Sequence, residues 1–253
     1  MAISESAKAY YDKMFPGCVP ELLATDPEFV ERFQNFAFDE VVNEPHAQLD
    51  DKTRFLAILS TLMGCQGIDE YRKMLPAALH LGLTPVEIKE MVYEGVAYLG
   101  MGRAFPFLKV TNEILTERGV QLPLEPQATA TAQTRLELGS KAQMEVFGDH
   151  LEGFWQSGPE DRRHINRWVV DNCFGDYYTR TGLDVRQREL VAFCMISAQG
   201  GCDPQLITHA AGSIRVGNDP AFLVAVVSAC LPYIGYPRSL NALRCVRKAA
   251  EQK

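Results

Sequence analysis

The sequence predicts an all-α protein, and three observations support this fold class. Apolar residues recur at helical spacing along most of the chain, as at Phe29, Phe33 and Phe36. Helix starts are explicit, because Thr84-Pro85-Val86-Glu87 combines a capping box with a proline in the first turn. No stretch alternates apolar and polar residues in the manner of a half-buried strand.

Six helices are expected in the first half of the chain. Asp26 supplies a capping side chain before Pro27, and Pro45 lies beyond the end of the same helix. Gly64 ends the next helix, and Pro76 is expected to kink or shorten the one after it. The expected ranges are 4–15, 26–42, 49–64, 68–81, 84–99 and 103–118.

A linker is expected between the two halves. Residues 120–134 contain two prolines and several small polar side chains, a composition typical of a loop. Beyond it, residues 135–157 and 159–173 are each expected to form a helix. We place the boundary at residue 122, which predicts one unit over residues 1–122 and a second over 123–253.

Composition argues against several classes of protein. The net charge of −7 disfavours non-specific nucleic-acid binding, which needs a basic surface. We find no apolar run near the ~20 residues of a membrane span and no secretory signal, so no membrane partner and a cytoplasmic setting are expected. The seven cysteines are irregularly spaced without a Cys-x-x-Cys pair, which predicts free thiols, and the histidines lack metal-ligand spacing, so no metal or other cofactor is expected.

The chain matches itself when it is shifted by about 135 residues. Leu49, Asp50 and Arg54 fall on the second-half residues 183, 184 and 188 at an offset of 134, and five further matches follow at an offset of 135. Those five first-copy residues are Gly82, Pro85, Tyr98, Gly100 and Arg103, whose partners are Gly217, Pro220, Tyr233, Gly235 and Arg238. We interpret the halves as two copies of one unit, and the recurring Tyr233, Gly235 and Arg238 as packing or interface residues.

The copies differ at the positions that could carry chemistry. His209, Glu189 and Cys202 of the second copy correspond to Met74, Phe55 and Gly67 of the first. The first copy therefore lacks the reactive groups. We expect it to serve as the packing partner of the second copy, in place of the other subunit of a homodimer.

The second copy carries a specific motif over residues 174–238. It reads Phe-Gly-x-x-Tyr-x-Arg-x-x-Leu-Asp-x-x-x-Arg-Glu-Leu, then Gln-Leu-x-x-His, then Tyr-x-Gly-Tyr-Pro. This motif resembles the carboxymuconolactone decarboxylase family, which includes the alkylhydroperoxidase D-like proteins. The resemblance implies two tandem helical units packed as a pseudo-dimer, and ring-like homo-oligomers in which a two-copy chain would form trimers. The activities of the family fall into two branches.

One branch reduces hydroperoxides with a Cys-x-x-Cys pair, a histidine and a glutamate. By this resemblance Cys202 matches the first cysteine, Gln205 the second, His209 the histidine and Glu189 the glutamate. Gln205 departs from the pattern, because a disulfide within the motif needs a second thiol. A one-cysteine cycle is left, in which Cys202 is oxidised to a sulfenate and an external thiol reduces it.

The other branch decarboxylates a small anionic lactone. Here the resemblance implies His209 as the proton donor or acceptor, and Arg180 and Arg188 as anchors for substrate carboxylates. Tyr178 is expected to line the pocket with Gln205, which stands where these decarboxylases usually carry a glutamate. The absence of a Cys-x-x-Cys pair favours this branch.

Two structural alternatives stay open at this point. Asp184 lies four residues before Arg188, as Asp50 does before Arg54, so both arginines could form ion pairs on a helix surface. The chain as a whole could also be a non-catalytic scaffold, since one copy already lacks the reactive side chains.

Overall fold

The computed structural model describes residues 2–251, and within them the chain is helical and contains no β-strand. The prediction of an all-α fold is confirmed. Short 3₁₀ turns and two π-helical segments join the α-helices. These are α1 (Glu5–Met14), α2 (Pro27–Asn35), α3 (Val41–Asn43), α4 (Asp51–Gly64), α5 (Ile68–His80), α6 (Pro85–Leu99), α7 (Met101–Glu117), α8 (Arg135–Phe147), α9 (Arg163–Trp168), α10 (Val185–Gln199), α11 (Asp203–Arg215) and α12 (Pro220–Ala250).

The two copies pack against each other through equivalent helices, as expected for a pseudo-dimer. Helix α4 of the first copy packs along α10 of the second, and one extensive apolar core runs through both copies. Gly64 permits the close approach, because a Cβ atom there would lie 2.5 Å from the Met195 carbonyl oxygen and 2.7 Å from the Ala198 Cβ. The helices on either side of this contact position the two halves of the candidate site.

Two of the predicted helix starts have the expected side-chain caps, whereas Asp26 makes no capping hydrogen bond at the start of α2. Thr84 and Glu87 form the capping box of α6, and Asp50 accepts from the Thr53 backbone N–H at the start of α4. Helix α5 continues through Pro76 to His80, so the proline does not shorten it. Side-chain capping thus fixes the starts of α4 and α6.

One predicted helix is wrong in length. Residues 135–157 were expected to be continuous, but α8 ends at Phe147 because Gly148 takes a φ of +107°. Short 3₁₀ turns follow, and α9 begins only at Arg163. Glycine is the residue that most readily adopts a positive φ, and this conformation stops the helix.

A π-helical segment, Val169–Tyr178, lies directly under α8 and carries two side chains of the site. Two glycines bring it into contact with α8. A Cβ on Gly139 would lie 2.0 Å from the Val170 carbonyl oxygen, and one on Gly175 would lie 2.2 Å from the Arg135 carbonyl oxygen. A π-helical turn often marks a functional site, because the extra residue redirects the side chains that follow it.

Helix α12 forms a longer apolar segment than the sequence was expected to contain. By length and composition alone it is long and apolar enough to span a membrane. The expectation that no apolar run approaches that length was therefore wrong. The helix is not straight, since Gly235 has non-helical φ and ψ of 74° and 169° and divides it. Its inner face, with Leu223, Val226 and Cys230, packs in the protein core.

The predicted linker contains no helix and packs on the second copy. The Gln127 carbonyl oxygen accepts from the Thr181 backbone N–H at 3.0 Å. The Thr129 hydroxyl donates to the Thr179 carbonyl oxygen at 2.7 Å. The segment that joins the copies therefore also covers the chain that follows Tyr178.

Candidate functional site

A buried glutamate and a histidine form the centre of the site. Glu189 on α10 is fully buried, and His209 Nδ1 on α11 lies 3.1 Å from its Oε2 atom. Gly200 and Gly201 both have positive φ, which turns the chain between the two helices and sets α11 beside α10. The sequence prediction of Glu189 and His209 as neighbours in one site agrees with this geometry.

Two tyrosines extend the hydrogen-bonded chain. The Tyr178 hydroxyl donates to Glu189 Oε1 at 2.6 Å. Because that proton is engaged, the Tyr98 hydroxyl is the donor in the 2.6 Å contact between the two phenols. Glu189 thus accepts on both oxygens, from Tyr178 and from His209. Burial strongly raises the pKa of both tyrosines, and the negative charge nearby raises it further, so they are neutral donors.

This arrangement determines which nitrogen of His209 is available for chemistry. The Nδ1–H group of His209 donates a hydrogen bond to Glu189. The neutral imidazole therefore has an unprotonated Nε2 that can accept a proton. A protonated imidazole would donate from Nε2 while the carboxylate stabilises the positive charge. The His209 side chain is 12% exposed, which leaves a small solvent-facing surface.

Aromatic rings enclose the imidazole of His209. The Phe147 and Tyr98 rings each lie 5.2 Å from it, edge to face. Phe147 also contacts Phe174 in a T-shaped pair. Gly212 permits this arrangement, because a Cβ there would lie only 2.7 Å from the Phe147 ring. The end of α8 therefore forms an apolar cover over His209.

Arg188 lies behind the Glu189–His209 pair and is buried rather than on a helix surface. It is 1% exposed, and its guanidinium contacts Glu90 and Glu94 of α6, each at 3.1 Å. It also donates to the Arg180 carbonyl oxygen at 2.8 Å. Asp184 instead caps the start of α10, so the reading of Arg188 and Asp184 as a surface ion pair was wrong. The proposed role of Arg188 as a substrate anchor competes with two protein carboxylates.

Glu94 is the least satisfied acid of this cluster. One of its oxygens accepts from Arg188, but Oε1 has no hydrogen-bond partner within the described residues. Burial raises the pKa of Glu94 to about 8, against the opposing charge of Arg188. Glu94 is therefore mostly protonated at neutral pH. Arg180 and Arg188 then share Glu90 as their common carboxylate partner.

Arg180 faces a cavity that His209 does not line. Its Nε and Nη2 atoms donate hydrogen bonds to the Glu90 carboxylate at 2.8–3.1 Å. Its guanidinium carbon lies 5.3 Å from the centre of the Tyr93 ring. It lines a cavity of about 360 Å³ with Lys89, between α6 and residues 122–127. Neither Glu189 nor His209 lines this cavity. The structure therefore does not bring Arg180 to the imidazole.

The cysteine near the site is Cys173, which the sequence analysis did not single out. Burial raises the pKa of its thiol to about 12, and the charges of Glu94 and Glu189 add to this effect. The predicted Cys202 lies at the start of α11, where its sulfur accepts from the Gln199 amide at 3.4 Å. Gln205 is exposed. Cys202 makes no hydrogen bond with Glu189 or His209 in the described part of the chain.

The first copy contributes directly to the site, which sequence reasoning did not predict. Tyr98, Glu90 and Glu94 all come from α6. The recurrence of Tyr98 as Tyr233 was the available signal, but it indicated packing rather than a hydrogen bond to the reactive groups. No group of three or more metal-binding side chains occurs within residues 2–251.

The equivalent position in the first copy is apolar. Phe55 and Met74, which replace Glu189 and His209, are both buried in the core. Arg54 corresponds to Arg188 and is only 3% exposed, yet its Nε and Nη1 atoms have no partner among the described residues. Shifting Glu90 and Glu94 by 135 residues leads to alanines, at positions 225 and 229. The earlier expectation of a surface ion pair for Arg54 was therefore also wrong.

Fold and site together define a tandem all-helical protein whose candidate site is built by both copies. The sequence model of the carboxymuconolactone decarboxylase family matches residues 27–113 and 164–248, one range in each copy. These ranges cover more than half of the chain, which therefore belongs to that family. The predicted resemblance and the internal repeat are confirmed.

A solved structure supports the fold. It is the crystal structure of a protein from Burkholderia xenovorans LB400 that is provisionally assigned as a gamma-carboxymuconolactone decarboxylase subunit. It is 21% identical, with a TM-score of 0.55, and the similarity covers 97% of this chain and 96% of the other. At this identity the likeness shows the fold alone. No curated protein matches the chain.

Proposed function

We propose that this chain is an enzyme that decarboxylates a small anionic lactone or ring carboxylate, with His209 as the acid or base. The observation that carries the proposal is the buried Tyr98–Tyr178–Glu189–His209 chain of hydrogen bonds. Here an ionisable partner, two phenols and an available Nε2 are arranged as in general acid–base sites.

In the proposed reaction the bond between a ring carbon and its carboxylate breaks, and carbon dioxide leaves. The electron pair of that bond passes into the conjugated carbonyl system of the substrate. Protonated His209 then delivers its Nε2 proton to the carbon that lost the carboxylate, and water restores the proton to the imidazole. Glu189 stabilises the imidazolium before the transfer, and Tyr178 holds the carboxylate of Glu189 in position.

The electrostatics of the surrounding cluster suit this role. Because burial keeps Glu94 largely protonated, this carboxyl adds little negative charge near His209, and Arg180 and Arg188 both contact Glu90. A second ionised glutamate next to Glu189 would repel an anionic substrate. Protonation of Glu94 therefore supports the choice of an anionic substrate class.

The test is carbon dioxide release from 4-carboxymuconolactone and close analogues by the purified chain. His209→Ala is expected to lower turnover by roughly 100-fold or more, because a positioned acid or base contributes about 10²–10⁴-fold. Glu189→Gln keeps the shape of the side chain but removes its charge, and a smaller loss is expected. His46→Ala, at an exposed histidine outside the site, is the matched control. If the wild-type chain releases no carbon dioxide from any analogue, the proposed reaction is wrong.

Thiol chemistry at Cys202 is the alternative function. Cys202 is partly exposed, which gives an oxidant access to it. Its sulfur also accepts a hydrogen bond from the Gln199 amide. Cys173 is the poorer nucleophile, because its raised pKa keeps the thiol protonated. Peroxide treatment followed by trapping of a sulfenate tests this alternative. A trapped sulfenate at Cys202, together with thiol-dependent peroxide consumption that Cys202→Ser removes, would favour the reductase; failure of both assays would leave the scaffold role.

We also propose that the chain associates with copies of itself. Met101 and Phe105 are more than half exposed, and so are Tyr236 and Leu240 at the positions 135 residues later. Apolar residues that are exposed at equivalent places in both copies favour a repeated contact. Phe105→Glu combined with Leu240→Glu should reduce the mass measured by light scattering, whereas Ile165→Glu, at another exposed apolar residue, should not. An unchanged mass in the double variant would contradict this contact.

A further inference from the structure

The first copy contains a cavity of about 450 Å³ at the place that corresponds to the candidate site of the second. It lies between α2, α4, α5 and α12. Three of its lining residues, Gly67, Glu70 and Tyr233, are the equivalents of Cys202, Gln205 and Tyr98. The first copy has therefore lost His209 and Glu189 but has kept an open cavity. This volume is within the range of small-molecule sites, about 300–1,000 Å³.

Aromatic and aliphatic side chains form most of the cavity wall. The Phe33 ring lies edge-on to Phe38 and Tyr233, with ring centres 5.7 and 6.2 Å apart. Phe29 stacks on Phe33 and is 60% exposed, so part of this wall is open to solvent. The remaining apolar lining includes Leu22, Val30 and Leu62. Such a wall suits a ring-shaped or aliphatic body.

Three polar groups line this apolar wall without a hydrogen bond from the described chain. Gln34 is only 4% exposed, yet its amide makes no hydrogen bond within residues 2–251. The Oε1 atom of Glu70 is buried and equally unpartnered in the described chain. The Tyr233 hydroxyl also lacks a hydrogen bond there, and burial keeps it neutral by raising its pKa. Buried polar atoms are normally hydrogen-bonded, so the Glu70 Oε1 atom, with the Gln34 and Tyr233 groups beside it, indicates a polar occupant.

The charged side chains at the cavity favour a cationic ligand. Glu21 and Glu70 both line the cavity, and Lys73 is the cation beside them, 3.8 Å from Glu70. Burial raises the pKa of Glu70 against the opposing charge of Lys73, and the charge of Glu21 adds a smaller increase. A second cation near Glu70 would stabilise its ionised form. Aromatic faces also attract cations, whereas they offer nothing comparable to a carboxylate.

We propose that this cavity binds a small molecule that carries an ammonium group on an aromatic or alicyclic body. The ammonium group lies at Glu70 and Tyr233, the Gln34 amide accepts one of its hydrogens, and the body packs on Phe29 and Phe33. This site is distinct from the proposed catalytic site. It has no histidine, and its charge disfavours the anionic substrates proposed for the second copy.

Calorimetric titration of the full chain with three matched probes tests the proposal. The probes are 2-phenylethylamine, 2-phenylethanol and 3-phenylpropanoate, which share a phenyl body and differ in the charge of the head. Saturable binding is expected for the amine, roughly tenfold tighter than for the alcohol, with the carboxylate weakest. Glu70→Gln should weaken the amine by roughly tenfold and leave the alcohol unchanged. Glu137→Gln, at an exposed glutamate on α8, should change neither.

Cys65 provides a second readout that locates the ligand. It lines the cavity, while Cys18 is exposed outside it. Amine binding should slow alkylation of Cys65 several-fold and leave Cys18 unchanged, as measured by mass spectrometry of the two peptides. Equal affinity for amine and carboxylate, no saturable binding of the amine, or binding without protection of Cys65 would each overturn the proposal. Thermal unfolding by circular dichroism verifies that Glu70→Gln is folded.

Discussion

Replacement of Arg188 and of Arg54 by methionine should change the stability of the protein in opposite directions. The two arginines occupy equivalent positions in the two copies, and both are at most 3% exposed. Methionine keeps an unbranched apolar chain of similar length, so each substitution mainly removes the guanidinium charge. The difference between the two variants therefore reports the surroundings of that charge.

The structure sets the expected magnitudes. Arg188 contacts Glu90 and Glu94 at 3.1 Å, so its loss leaves Glu94 without its hydrogen-bond partner and leaves Glu90 to Arg180 alone, and it should cost about 3–5 kcal/mol. Arg54 has two nitrogens without partners and one contact at 3.5 Å, to the Leu49 carbonyl oxygen. Each unsatisfied buried polar group costs about 1–3 kcal/mol, so Arg54→Met should stabilise the fold by about 1–3 kcal/mol.

Urea unfolding at pH 7, followed by circular dichroism, gives both free energies. The midpoint should fall for Arg188→Met and rise for Arg54→Met, with similar slopes if the denatured states are alike. A loss of similar size in both variants would refute the reasoning. It would mean that packing of the aliphatic part of the arginines, rather than the pairing of their charges, determines the effect.

Three further predictions concern the site and its supports. Glu94 has a folded-state pKa of about 8 against an ordinary 4.5, so the folded state binds the extra proton, and stability falls as pH rises. Relative to Glu94→Gln, wild type should lose roughly 3 kcal/mol between pH 4.5 and 7 in urea titrations, and a constant difference would contradict this. Tyr178→Phe should lower kcat for carbon dioxide release roughly tenfold, because Glu189 loses a donor at 2.6 Å, whereas Tyr177→Phe should not. Gly212→Ala should destabilise the fold by about 1–3 kcal/mol through its 2.7 Å contact with Phe147, while Gly102→Ala, with no neighbour within 4 Å, should not; equal melting temperatures would refute it.

Much of the fold was predictable because it depends on local chemistry. The capping box at Thr84 and Glu87 acts over a few residues and is present as predicted, and α4 ends at Gly64 as predicted. The internal repeat needed only the order of matching residues. The helix predicted over residues 135–157 was too long because the φ of Gly148 is a backbone choice that the apolar spacing did not reveal.

The sequence by itself determined the helical class, the two copies and the candidate pair Glu189 and His209, which the family motif identifies. Only the tertiary structure decided that α6 of the first copy supplies Tyr98, Glu90 and Glu94 to that pair. It also decided that Arg188 and Arg54 are buried, although an Asp-x-x-x-Arg spacing is equally typical of an exposed helix. The physical reason is range: capping and periodicity act within a helix, whereas burial and charge pairing depend on which helix faces which.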